Sequence, residues 1–179
     1  MLDDEETNIK TLVTRRSADV KMWNKSIVQP ASSPNIIGFD LKVGFSPKME
    51  TQIATFIVTR DKYCLIHQYL IPKFVPPLSL PLLKLLLKND IIIVARDSEK
   101  SVRPHLRKIF GEKVGNRVNL MDLSGNLTEQ ELNSRFQISP EVEDLPWYRN
   151  SILSIQVSYI TVKTYHNYMI GKDMKEADI

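Results

Sequence analysis

Tyr159 and Lys163 stand four residues apart in a segment of helical apolar period, so a helix there places a phenol and an ammonium group on one face. Asp40 ends the apolar run 36–39, and Asp97 follows the run 91–95. A carboxylate at the end of a strand can serve a cleft, although Asp40 can equally be a turn former. Lys42 follows Asp40 by two residues. Beyond Asp97, the basic residues Lys100, Arg103, Arg107 and Lys108, then Lys113 and Arg117, can form a phosphate-attracting surface. A solvated helix face is the plainer reading. Glu99 and Glu112 dilute the charge, and no aromatic residue is interleaved to stack bases.

The other reactive residue types lack the arrangement their chemistry needs. His67, His105 and His166 are not at metal-binding spacing from one another or from cysteine, which leaves surface or partly buried structural histidines. Ser151, Ser154 and Ser158 have no nearby histidine and no nucleophile-elbow glycines. A phosphate-binding glycine loop is absent. Cys64 is the single cysteine, which excludes an intramolecular disulfide and a cysteine-based zinc site. Between Tyr63 and Leu65-Ile66, with no cation beside it, it reads as a core thiol. Trp23, Trp147 and Tyr148 read as core or interface anchors rather than base platforms.

The elements that must carry these residues follow from hydrophobic period. Residues 9–13 form a short strand, and Ser17 caps a helix through Val20, Trp23 and Ile27. Residues 36–41, 53–58 and 63–69 are strands of an antiparallel meander, the last two joined by a hairpin at 60–62, with Gly44 and Pro47 in a loop. Leu80, Leu83, Leu86 and Leu87 recur at helical spacing before the continuous apolar strand 91–95. A helix from about Ser98 to Phe110 follows, with Pro104 marking a kink or a late start, and residues 118–123 form the next strand. Thr128 and Glu131 have capping-box spacing for a further helix. After a loop at 137–149, Asn150 opens the last helix, with an apolar stripe of Ile152, Ile155, Tyr159, Val162 and Met169 and Gly171 placed to end it.

At 179 residues and 42% hydrophobic composition the chain suits one domain with a substantial core, burying roughly 70% of its unfolded surface. Disorder as the main state is excluded. The net charge is only +3, so nucleic acid would have to be held by a local patch. Residues 1–7 are acidic, unlike the basic start of a signal or transit peptide, and the cysteine usage suits a reducing compartment. The most apolar stretch, 75–94, is broken by Pro76, Pro77, Pro81, Lys84, Lys88 and Asp90 and cannot span a membrane. A cytoplasmic or nuclear location is expected.

The order of three antiparallel strands, then helix, strand, helix, strand and terminal helices, is that of a ribonuclease-H-like α/β fold: a mixed five-stranded sheet with helices on both faces. A short strand and helix in residues 1–33 precede this core of 34–171. The segment Ile36-Ile37-Gly38-Phe39-Asp40-Leu41-Lys42 resembles the first motif of the Werner-syndrome-type exonucleases, Gly-Phe-Asp-x-Glu at a strand end. Residues 91–97 look like that family's second motif, with Asp97 at the acidic position, and 153–159 are similar to its third, in which an aspartate follows the tyrosine by four residues. The chain looks most like small plant members of this DEDDy-type group.

The resemblance implies 3'-5' exonuclease activity through four carboxylates holding two divalent cations about 3.5 to 4 Å apart, with the tyrosine orienting the attacking water. Lys42 and Lys163 stand where two of those acids belong, leaving Asp40 and Asp97. Two aspartates and two lysines sum to zero, so the altered site needs no metal, and each ammonium can take the volume a cation vacates. Opposite charges at ~4 Å attract by about 4 kcal/mol at an effective dielectric of 20, before desolvation costs. The expectation is a catalytically degenerate exonuclease-like protein that binds single-stranded nucleic acid or assembles as a homo-oligomer, even with active paralogues, and needs no cofactor. The alternative is a working Mg2+- or Mn2+-dependent exonuclease on single-stranded RNA or DNA, with Asp61, Glu99 or Asp122 as shifted ligands. A weaker alternative is a structural interaction protein that binds no nucleic acid.

Overall fold

Runs of β-branched and aromatic residues become the strands of one mixed sheet, which the computed structural model describes together with its helices over residues 8–27, 35–45, 51–69, 80–86, 88, 91–96, 103–110, 119–122, 140–142, 145–147 and 151–177. The strands are β1 (Lys10–Thr14), β2 (Ile36–Phe45), β3 (Thr51–Arg60), β4 (Tyr63–Gln68), β5 (Ile92–Ala95) and β6 (Asn119–Asp122). The helices are α1 (Ser17–Ser26), α2 (Leu80–Leu86), α3 (Arg103–Phe110) and α4 (Ser154–Ala177), with a 3-10 turn at Pro140–Val142. The spatial order is β1-β4-β3-β2-β5-β6. Strands β2, β3 and β4 form the antiparallel meander, while β5 and β6 run parallel to β2. Strand β1 joins as a sixth, parallel to β4 from Lys10↔Tyr63 to Thr14↔His67. The β3–β4 hairpin turns at Asp61, whose φ of 51° is in the left-handed region that aspartate tolerates better than most residues.

Alternation along β2 sorts its side chains between two layers. Ile37, Phe39 and Leu41 join Phe56, Val58, Leu65 and Ile93 in a core closed by Val20 and Trp23 of α1 and Leu82, Leu85 and Leu86 of α2. The opposite face carries Ile36, Gly38, Asp40 and Lys42 and lies under α4. There Ala54, Ile57, Cys64 and Ile66 pack with Val142, Trp147, Tyr159 and Ile160. Cys64 is buried as expected of a core thiol, and burial pushes its pKa up to about 11 against the lowering effect of hydrogen bonds with Thr59 and Thr161.

Several local expectations are corrected. Gly44 lies inside β2, which continues to Phe45, because pairing with β3 extends to Phe45↔Thr51 beyond an irregularity between Lys42 and Val43. The cap of α1 is Arg16 rather than Ser17, and among the described residues no side chain closes it directly. Thr14 organises the turn instead: its hydroxyl accepts from the Arg16 N–H at 3.0 Å and donates to Asp19 Oδ2 at 2.6 Å. Helix α3 has Pro104 in its first turn, where the missing N–H has no intrahelical partner to lose. The helix expected from Thr128 and Glu131 lies outside the described residues.

Helix α4 starts at Ser154, not Asn150, and runs through Gly171 to Ala177. Gly171 serves packing rather than termination: a Cβ there would meet Val94 Cγ2 at 2.5 Å and Ile36 Cγ2 at 3.2 Å. The expected apolar stripe is the inward face only in part: Tyr159 is buried, and Ile152 and Met169 pack against the core. Ile155 is 51% exposed, whereas Gln156, Tyr159, Ile160, Lys163, Thr164, Asn167 and Tyr168 are buried. The helix crosses glycine and charged positions of β2, and the polar groups that match that surface turn inward.

His67 is buried more deeply than expected and faces the junction of β1 and α1. Burial lowers its pKa from 6.5, opposed by a hydrogen bond with the Thr14 backbone and by the Asp19 carboxylate. The folded state therefore binds this proton less readily than the unfolded chain. Its stabilising contribution is complete above the unfolded value and is lost as pH falls below 6.5 through the lowered folded value. The urea midpoint is expected to fall between about pH 7 and about pH 5, with a smaller fall in His67→Gln. Equal pH dependence in both proteins rejects this assignment.

Candidate functional site

The central strand β2 and helix α4 build the site, and their contacts run in opposite directions. Gly171 lies against Ile36, Thr164 and Tyr168 lie against Gly38, Asn167 meets Phe39, and Lys163 meets Asp40. At Gly38 a Cβ would collide with the Thr164 carbonyl oxygen and stand 2.6 Å from the Tyr168 nitrogen. Glycine at this position lets helix and strand backbones touch. That approach carries Lys163 to the strand.

Asp40 divides its two oxygens between backbone and side chains. Oδ1 accepts the Leu41 N–H at 2.7 Å. Oδ2 faces both lysines, at 3.5 Å from Lys42 Nζ and 3.6 Å from Lys163 Nζ. The three side chains are 10% to 15% exposed, so the ion pairs are shielded from bulk solvent. Each ammonium also approaches an aromatic ring, Lys42 over Trp147 at 5.2 Å and Lys163 over Tyr159 at 5.7 Å from the centroid. Both distances are within cation–π range. Trp147 is held by its backbone as well, since the Thr55 hydroxyl donates to its carbonyl at 3.4 Å.

Four of the five motif residues, Asp40, Lys42, Tyr159 and Lys163, thus come together in one place. Asp97 lies outside the described residues, as do Lys100 and Glu99. Arg103 and Arg107 are one turn apart on α3, half-buried and exposed respectively; Lys108 belongs to the same helix, with its side chain outside the described residues. Asp61 sits in the β3–β4 turn, four residues past Ile57, the partner of Asp40, and Asp122 ends β6. Trp147 was legible only as a generic anchor. Asn167 offered one signal, its four-residue spacing from Lys163 on the helix face that carries Tyr159.

A divalent cation at Asp40 Oδ2 would share that oxygen with two ammonium groups, and like charges so close repel strongly in a shielded site. The described residues, as they stand, do not fit such an ion. No group of three or more histidine, cysteine, aspartate or glutamate side chains gathers among the described residues.

No protein-family model and no curated protein matches the chain. Solved structures do match. RNase D of Escherichia coli, described as an exoribonuclease involved in structured RNA processing, superposes with a TM-score of 0.62 at 11% identity, covering 90% of this chain and 46% of that one. A variant of the catalytic core of RRP6 from Trypanosoma brucei gives a TM-score of 0.72 at 15% identity, covering 97% and 48%. The Nibbler EXO domain of Aedes aegypti gives 0.59 at 10% identity, covering 92% and 85%. The chain therefore spans about half the length of the RNase D and RRP6 chains and most of the Nibbler domain. The chain shares the ribonuclease-H-like α/β fold of these solved structures. Among the described residues, no helix is long and apolar enough to cross a membrane.

Proposed function

We propose that this chain is a Werner-type, plant-like 3'-5' exonuclease domain that has exchanged metal-dependent catalysis for binding or assembly. The observation that carries the reading is the convergence of Lys42 and Lys163 on Asp40 Oδ2. In the resembled family the corresponding side chains are acids that ligate a cation. Here ammonium groups stand beside the Asp40 carboxylate and supply its countercharge without a metal. Tyr159, which in that family orients a water, lies under the Lys163 ammonium. The partner class is single-stranded nucleic acid, approached through the cleft and the basic residues of α3, with self-association or association with active relatives as the assembly role.

The test incubates purified protein with labelled single-stranded RNA and DNA in Mg2+ or Mn2+, alongside a mobility-shift measurement. Retarded but unshortened oligonucleotide is the expected result. Ladder-like shortening that Asp40→Ala abolishes overturns the proposal, and neither shortening nor retardation leaves only the assembly role. Light scattering of the same sample reads the oligomeric state, with a mass above the 20.6 kDa protomer expected.

A further inference from the structure

We infer that Asn167 is a positioning residue whose amide, docked on the Phe39 carbonyl, holds α4 at the rotation and slide that place Lys163 against Asp40. Asn167 is fully buried, and its Nδ2 donates to the Phe39 oxygen at 3.1 Å. Phe39 immediately precedes Asp40, and Lys163 is one helical turn before Asn167 on the same face. The hydrogen bond is therefore one strand residue and one helix turn from the ion pair. It also falls where the register of β2 with β5 stops, at Phe39↔Ala95.

The glycine contact explains closeness but not direction. Gly38 offers no side chain to interlock with α4, so this contact by itself leaves the helix the freedom to roll or slide on the strand. A buried hydrogen bond is directional and removes that freedom. Among the described residues Asn167 Oδ1 has no hydrogen-bond partner, and it is buried. An acceptor in that state costs stability that an apolar side chain would avoid. The amide is accounted for by what Nδ2 holds, and the reverse orientation would set two acceptors face to face.

This inference takes its purpose from the proposed cleft, but its test needs neither nucleic acid nor metal, so the two ideas fail separately. Lysine acylation is measured site by site by mass spectrometry in folded wild type, Asn167→Leu and Ile160→Val. The last variant trims the same helix away from the Phe39 carbonyl. Asn167→Leu is expected to speed modification of Lys163 roughly fivefold, the factor for one lost hydrogen bond, while Lys10 and Lys172 keep their rates. Ile160→Val is expected to leave Lys163 unchanged. Equal acceleration of Lys163 in both variants, or none in Asn167→Leu, overturns the inference. A second readout covers failure of the variant to fold: in wild type the Asn167 side-chain amide protons must exchange slowly with solvent, and exchange at the rate of a free amide rejects the docked geometry.

Discussion

The double variant Lys42→Glu, Lys163→Asp is expected to bind Mn2+ where the wild-type protein does not. The two changes lower the local charge by four and remove both ammonium groups from Asp40 Oδ2. Without metal, the new carboxylates crowd Asp40, and the variant melts below wild type because like charges share a shielded site. Metal reverses that penalty. A ligand at about 100 times its Kd stabilises the folded state by about 2.7 kcal/mol. For a chain of this size that raises Tm by roughly 5 to 10 °C. Thermal melts of both proteins in chelator and in excess Mn2+ measure the effect. A variant whose Tm ignores Mn2+ would show that this cleft cannot be read through the exonuclease motifs at all. Nuclease assays on the metal-loaded variant then ask whether ligands alone were missing.

Gly38→Ala is expected to be the most damaging single substitution in the site. The new Cβ would run into the backbone of α4, at the Thr164 carbonyl and the Tyr168 nitrogen, and backbone atoms of a helix cannot rotate aside. The helix must lift from β2. The cost is about 3 kcal/mol or more, the upper end of overpacking, with a Tm lower by roughly 6 to 12 °C. Gly171→Ala makes the instructive comparison. Its Cβ would meet methyl groups of Val94 and Ile36, which can shift, so about 1 to 2 kcal/mol is expected. Melting curves of the two variants separate these cases, and equal losses would mean that the Gly38 contact is not a backbone contact in solution.

Much of the frame is legible in the sequence. Strands 36–41, 53–58, 63–69 and 91–95 were readable because each is an uninterrupted or alternating apolar run with turn residues at its ends, and such runs have few other ways to bury themselves. Helix α4 is legible in the sequence, but its inward face only in part. Periodicity scores apolar residues, and this face sets Gln156, Lys163, Thr164 and Asn167 beside Tyr159, Ile160 and Tyr168 because its partner surface on β2 includes glycine and charge. Gly171 reads as a helix end for a related reason: a glycine needed for close packing and one needed for a left-handed cap look alike in sequence.

What the sequence by itself determined is the set of residue types: an α/β order of elements, aspartates following two apolar runs, and lysines at two positions where a resembling family has acids. These follow from local chain chemistry and hydrophobic period. Pairing with β3 then puts Asp40 inside β2 rather than at its end. Only the tertiary structure decided that Lys42 and Lys163 meet on one oxygen of Asp40, that Trp147 and Tyr159 lie beneath their ammonium groups, and that Asn167 ties helix to strand beside them. Residues more than a hundred positions apart are brought within a few ångströms by a glycine contact and a buried amide, and a long-range register of that kind has no signature in local sequence.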